Sequence, residues 1–331
     1  MGPTLPERCD GVEPRCGMLG PVETVSFDSH GMRCEAWWLP ARDDGLAGPA
    51  GTPAVVMAHG FGCTRDSGLL PFARRFAAAG LHVLVFDYRG FGGSGSAPGG
   101  LRQDVDHRRH REDYHAALAA VRAREDVDAD RVALWGTSYS GGHVVAVAAE
   151  DPRVAALVSQ GAAMDGLAAL TGRGVAPGPG SARTRAAHHA KVAGAVAGDL
   201  ARAALRRPPR TLALFGATGS TALMTGAGAT AFERLTGPTF RNEMAARGVP
   251  RVARNRPVRV ADRVRCPALL VVAERDEIAP AAAVREVARR IGGRAEVASY
   301  DCGHFDLYEG AVFEESVAVQ AAFLRRVLAP R

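Results

Sequence analysis

Residues 134–143 read LWGTSYSGGH. A short apolar, β-type run leads into a serine flanked by small residues, and an apolar helical run follows it. Such a serine is either an ordinary strand-to-helix turn residue or an exposed nucleophile, and the neighbouring segments decide between the two. RVALWG (131–136) has companions in AVVMAH (54–59), LHVLVFD (81–87), VAALVSQ (154–160), PALLVVAE (267–274) and AEVASY (295–300). Helix-like runs near 68–79, 104–124, 139–150, 280–291 and 311–328 separate or follow them. Continuous apolar strands alternating with helices predict an α/β fold, a mostly parallel sheet covered on both faces. Upstream, VETVSF (22–27) and MRCEAWWLP (32–40) flank DSHG, a turn with Gly31 available for positive φ, and predict an antiparallel hairpin.

Ligands of an open parallel sheet bind beyond the carboxyl ends of the strands, so the residues just after each strand carry the chemistry. Four such positions are chemically loaded: HGFG (His59 to Gly62), the turn around Ser138, the acids Glu274 and Asp276, and His304 in DCGHFD. Their chain order is nucleophile, acid, histidine. Asp165 is a further acid after the preceding strand.

With these motifs the sequence resembles the α/β-hydrolase family over roughly residues 22–328. The G-x-S-x-G-type elbow, the HG-type loop after the third strand and the order Ser, Asp, His are that family's marks. DYRGFGGSG (87–95), WGTSYSGGH, the D-x-I-x-P of Asp276 to Pro280 and GHFDLY (303–308) look most like bacterial dienelactone-hydrolase-like and X-Pro-dipeptidyl-peptidase-like serine hydrolases. Fungal polyketide thiohydrolases and acyltransferases are similar relatives. One departure is Ser140, where the elbow ends in glycine elsewhere; a hydroxymethyl is still small.

The resemblance implies an eight-stranded sheet and a triad of Ser138, His304 and Asp276, with backbone N–H groups of Phe61 and Tyr139 as oxyanion donors. It implies cleavage of an ester, lactone or thioester through an acyl-enzyme. Alternatives are an acyltransferase or cyclase using the same intermediate, a peptidase, and a binding protein on an idle hydrolase fold. Asp276 is preferred to Glu274 and Asp165 because it fits D-x-I-x-P. His59 is expected to support the oxyanion loop, and Asp87 to anchor the glycine-rich turn that follows it.

The alternation breaks between 161 and 262, a stretch too long for a plain connection and too apolar for disorder, expected to form a helical cap after strand 6. The expected organisation is an N-terminal extension (1–20), a core (21–160 with 263–331) and that cap of several short helices. Leu167, Phe215, Met224 and Phe240 are among its candidate pocket residues, and they serve equally well as the cap's own core. Asn242 and Glu243 are polar candidates for the pocket.

The chain is 47% hydrophobic and carries a formal charge of +6. Residues 181–265 hold 16 Arg or Lys and 4 Asp or Glu, about +12, so the rest is net negative. This basic cap allows an anionic carrier such as a phosphopantetheine thioester at the pocket mouth, although a solvated arginine-rich surface explains it as well. No basic run is interleaved with aromatics, which speaks against nucleic acid. GFGGSG (90–95) lacks the pattern of a phosphate or dinucleotide loop. HRRHREDYH (107–115) has poor metal spacing and reads as a solvated helix face. The six cysteines include no CxxC pair, so no zinc site or disulfide framework is expected, a Cys9–Cys16 bridge being the one pairing to consider. No cofactor or metal is expected. With no apolar run of about 18 residues and no secretory-type leader, a cytoplasmic protein without membrane contact is expected. The expected partner is a small-molecule acyl substrate, and the sequence leaves homo-oligomerisation open.

Overall fold

The computed structural model describes residues 20–97, 100–171, 182–217, 219–225 and 227–330. Cys9, Cys16 and nearly all of the expected N-terminal extension lie outside the described residues. Eight strands form one sheet: β1 (Glu23–Ser29), β2 (Met32–Leu39), β3 (Thr52–Ala58), β4 (His82–Phe86), β5 (Val127–Thr137), β6 (Ala156–Gln160), β7 (Ala268–Ala273) and β8 (Ala295–Tyr300). Their spatial order is β1-β2-β4-β3-β5-β6-β7-β8. β2 pairs antiparallel with β1 and β4, and every other neighbouring pair is parallel.

Successive buried residues in β3 serve opposite faces of the sheet, which is why the strand reads as an unbroken apolar run. Val55 and Met57 pack with Phe72 and Phe76 of α1 (Leu70–Ala78) and with Phe313 and Phe323 of α9 (Gly310–Val327). Val56 and Ala58 face the other layer, made by α2 (His107–Arg122), α3 (Tyr139–Glu150) and α8 (Ala281–Ile291).

Two sequence expectations are corrected here. β5 starts at Val127, four residues before RVALWG, because buried Val127 pairs with Thr52 across a register shift, while the polar Asp128 and Asp130 that follow it carry no apolar signal. HRRHREDYH is not a solvated face. His107, His110, Asp113 and Tyr114 are buried, in register with Ala117, Leu118 and Val121 on the side of α2 that meets the sheet.

Between β6 and β7 lie α4 (Gly166–Thr171), α5 (Ala182–Ala204), α6 (Ala227–Leu235) and α7 (Val249–Arg254), with two pairs of two-residue strands. α5, at 23 residues, is longer than the short helices expected. Asp199 fixes it to the cap, accepting from the N–H of Arg210 (2.6 Å) and Arg247 (2.9 Å) and from the Arg247 guanidinium. The Arg247 guanidinium and these backbone bonds hold the Asp199 carboxyl down at about 2. The cap docks on the core through Arg251–Asp104 (2.8 Å), Arg234–Glu309 (3.0 Å) and Thr239 on Asp66 (2.9 Å). Part of its positive charge, at Arg234, Arg247, Arg251 and Arg256, is therefore met by carboxylates.

Candidate active site

LWGTSYSGGH (134–143) forms a strained elbow. Ser138 sits at φ 55°, ψ −117° between β5 and α3, a region that a residue with a Cβ seldom enters. Gly136 permits the turn, since a Cβ there would lie 2.4 Å from the Ser140 carbonyl oxygen. Ser140 does more than stay small. Its hydroxyl accepts from the Thr137 N–H at 2.8 Å and is placed to donate to the Ala58 carbonyl at 2.8 Å, which ties the elbow to the end of β3.

The loops after β7 and β8 bring the other two residues. His304 Nε2 is 3.1 Å from Ser138 Oγ, and His304 Nδ1 is 2.6 Å from Asp276 Oδ2. The other oxygen of Asp276 accepts from the N–H groups of Ile278 (2.8 Å) and Ala279 (2.7 Å), which fixes the carboxylate plane. The competing acids are engaged elsewhere. Glu274 pairs with Arg285, and Asp165 caps α4 while accepting from Arg256 at 2.6 Å.

Phe61 and Tyr139 border the same cavity as Ser138, with their rings edge to face at 5.4 Å. Tyr139 opens α3, where the first N–H groups have no intrahelical acceptor. Gly60 and Gly62 let the loop approach. A Cβ on Gly60 would lie 3.2 Å from the Ser138 Cβ, and Gly62 has φ 66° with Leu214 where a Cβ would be. His59 bonds the Gly60 carbonyl at 3.0 Å through Nδ1, and Asp87 accepts from the N–H groups of Arg65 (2.6 Å) and Gly93 (3.2 Å), so both hold loops.

Behind the elbow, His110 and His143 face each other at 3.3 Å, and Tyr88 stacks on His110 with ring centroids 4.0 Å apart. Burial pushes the His59, His110 and His143 imidazoles below their ordinary range. An unfolded chain takes up protons at these histidines below about pH 6.5 while the folded chain resists. Their contribution to stability is thus complete above that pH and is lost as the pH falls through the lowered folded values. The melting temperature should accordingly fall from pH 7 to pH 5, before the carboxylates titrate, and a flat profile across that interval would contradict the assignment.

A cavity of about 160 Å³ opens beside Ser138 and His304. Its apolar wall is Leu170, Leu223, Met224, Phe232 and Leu235 from the cap, with Ile278 and Phe305 from the core loops. Of the pocket residues expected from the sequence, Met224 lines it, as do Leu170, Leu223 and Phe232. Leu167 is exposed, and Phe215 and Phe240 stack on each other and meet Phe232 edge to face, forming the cap's own core. Asn242 spends its amide on the backbone of Leu214 and Phe215. Sequence reading missed Ile278 and Phe305, although both adjoin motif residues. Among the described residues no group of three metal-ligating side chains converges, and no helix is long and apolar enough to cross a membrane. Cys34, Cys63, Cys266 and Cys302 are buried free thiols.

Residues 53–311 match the family model described as the alpha/beta hydrolase fold. The chain is similar to the quorum-quenching protein AidA of Acinetobacter baumannii, 36% identical over 308 residues that cover 92% of this chain and 94% of that one. Among solved structures it resembles the alpha/beta hydrolase GrgF of Penicillium, with a TM-score of 0.75 and 25% identity over 93% of this chain and 99% of that one. DcsB, solved with a substrate analogue, matches in fold at a TM-score of 0.75 and 22% identity, over 94% of this chain and all of that one.

Proposed function

We propose, from the premise that this chain belongs to the α/β-hydrolase fold family, that it cleaves an ester, lactone or thioester with Ser138 as nucleophile. The supporting observation is the single imidazole of His304, in reach of Ser138 Oγ on one side and of Asp276 on the other. Ser138 Oγ attacks the acyl carbonyl while its proton passes to His304 Nε2. Asp276 keeps the Nδ1–H tautomer and stabilises the imidazolium that forms. The developing oxyanion is met by the N–H groups of Phe61 and Tyr139. The proton then moves from His304 to the leaving group, and a water, deprotonated by the same nitrogen, releases the acid.

The substrate is a small acyl compound, and the mainly apolar cavity favours a hydrocarbon-rich acyl group. Cavities of this volume hold a benzene-sized ligand, so an acyl chain of about six carbons should fill it. The name of the A. baumannii relative, which refers to quenching of a signal, and the thiohydrolases and polyketide transferase that match part of the chain are compatible with lactone, thioester and transfer chemistry alike. The apolar wall around Ser138 favours acyl transfer as the second reading, because it limits access of water to the acyl-enzyme. Ion pairs engage Arg234, Arg251 and Arg256 of the cap, and a free small-molecule acyl donor is the simpler substrate.

The test is turnover of p-nitrophenyl esters of graded length. The kcat/KM should rise to a maximum near six acyl carbons and fall for longer chains. A burst of p-nitrophenol followed by little turnover, relieved by added alcohols or amines, would mark a transferase.

A further inference from the structure

Beside Ser138, the cavity is bordered by the hydroxyl-bearing residues Ser67, Thr137, Tyr139 and Tyr308. Ser67 lies within reach of Thr64 Oγ1 at 3.1 Å, and Thr64 gives its own hydrogen to Asp66, so the Ser67 hydrogen goes to Thr64. The Tyr139 ring packs on His143, and its hydroxyl is buried away from solvent with no hydrogen-bond partner among the described residues. Thr137 and Tyr308 remain, with their oxygens 2.6 Å apart.

The roles in this pair are set from below. The Trp135 indole can only donate, and it does so to Gln320 Oε1 at 2.7 Å. That fixes the Gln320 amide, whose Nε2 donates to Gln160 Oε1 at 2.7 Å. Gln160 in turn has its Nε2 toward Thr137 Oγ1, at 3.3 Å. Trp135, Gln160 and Gln320 are fully buried, so no solvent relaxes the sequence. Thr137 thus already accepts one hydrogen bond, and among the described residues its hydroxyl has one acceptor in reach, Tyr308. Thr137 is 1% exposed, and a hydrogen left over there would be stranded. It therefore donates to Tyr308, and the Tyr308 hydrogen is left with no acceptor among the described residues, on a residue that lines the cavity beside Ser138 and His304.

We propose that Tyr308 presents this O–H to the bound substrate and selects acyl groups carrying a hydrogen-bond acceptor, a keto, hydroxyl or ether oxygen, over plain hydrocarbon chains of equal length. This rests on the reading of Ser138 as the nucleophile and adds a polar feature to the apolar acyl group. No motif in the sequence marks Tyr308 for this role, because the donor becomes available only through contacts between β5, β6, α9 and the loop after His304.

The experiment compares p-nitrophenyl hexanoate with esters of the same length in which a keto or ether oxygen replaces one methylene at successive positions. Each kcat/KM is divided by the ester's own alkaline hydrolysis rate to remove intrinsic reactivity. The wild type should prefer the best-placed oxygen by about tenfold, the worth of one neutral hydrogen bond. Tyr308→Phe should bring the ratio to within about twofold, and Thr137→Val should keep it. Because the readout is a ratio, a loss common to all esters cancels. Equal rates for plain and oxygenated chains in the wild type, or a preference that survives in Tyr308→Phe, overturns the proposal; the wild-type ratio decides alone should a variant fail to fold. Turnover that persists in Ser138→Ala would instead overturn the underlying reading of the nucleophile.

Discussion

Ser138→Ala lowers kcat on p-nitrophenyl esters by about a millionfold, the scale on which a serine nucleophile acts together with its histidine. The expectation follows from geometry. The Ser138 hydroxyl is in hydrogen-bond reach of His304 Nε2, the cavity opens on both residues, and the variant has no oxygen to form the acyl-enzyme. What survives is the attraction of the oxyanion donors for the transition state, which still exceeds the reaction in water. The fold is untouched, because alanine meets the same strain at φ 55° that serine does. An unchanged melting temperature with lost turnover is the expected pair of results. Equal hydrolysis of every chain length by variant and wild type would sink the assignment.

Asp276→Asn should cost about ten-thousandfold in kcat. The backbone decides how the new amide sits. The N–H groups of Ile278 and Ala279 hold the inner oxygen, so the amide nitrogen must face His304. His304 Nδ1 would then accept, its proton would reside on Nε2, and the ring would offer Ser138 a hydrogen where it needs a lone pair. Glu274→Gln and Asp165→Asn are the controls. Their partners are Arg285 and Arg256, and each should leave kcat within about threefold of the wild type.

The strands and the convergence of Ser138, Asp276 and His304 were legible because Ser138 and Asp276 follow buried apolar runs and His304 follows the half-exposed edge strand β8, all at the strand ends where a parallel sheet exposes its chemistry. The burial of His107 and His110 was not. Arginines and acids at the intervening positions of α2 give the segment a polar average, and only the spacing of His107, His110, Tyr114, Ala117, Leu118 and Val121 marks the inner face. The cap was legible as an insertion but not in detail. Phe215 and Phe240 look no different in sequence from Phe232, yet the first two pack among themselves while Phe232 also reaches the cavity. Gln160, polar at the end of an otherwise apolar strand, was the one available signal for the hydrogen-bond sequence beneath Thr137.

The conformation of Ser138 has a consequence for drift under relaxed selection. Glycine accepts φ 55° at little cost, so a copy of this chain freed from the need to turn over substrate would gain stability by exchanging that serine for glycine. Stability selection and catalytic selection therefore pull in opposite directions at this one codon. Under the proposed function, only the second favours serine.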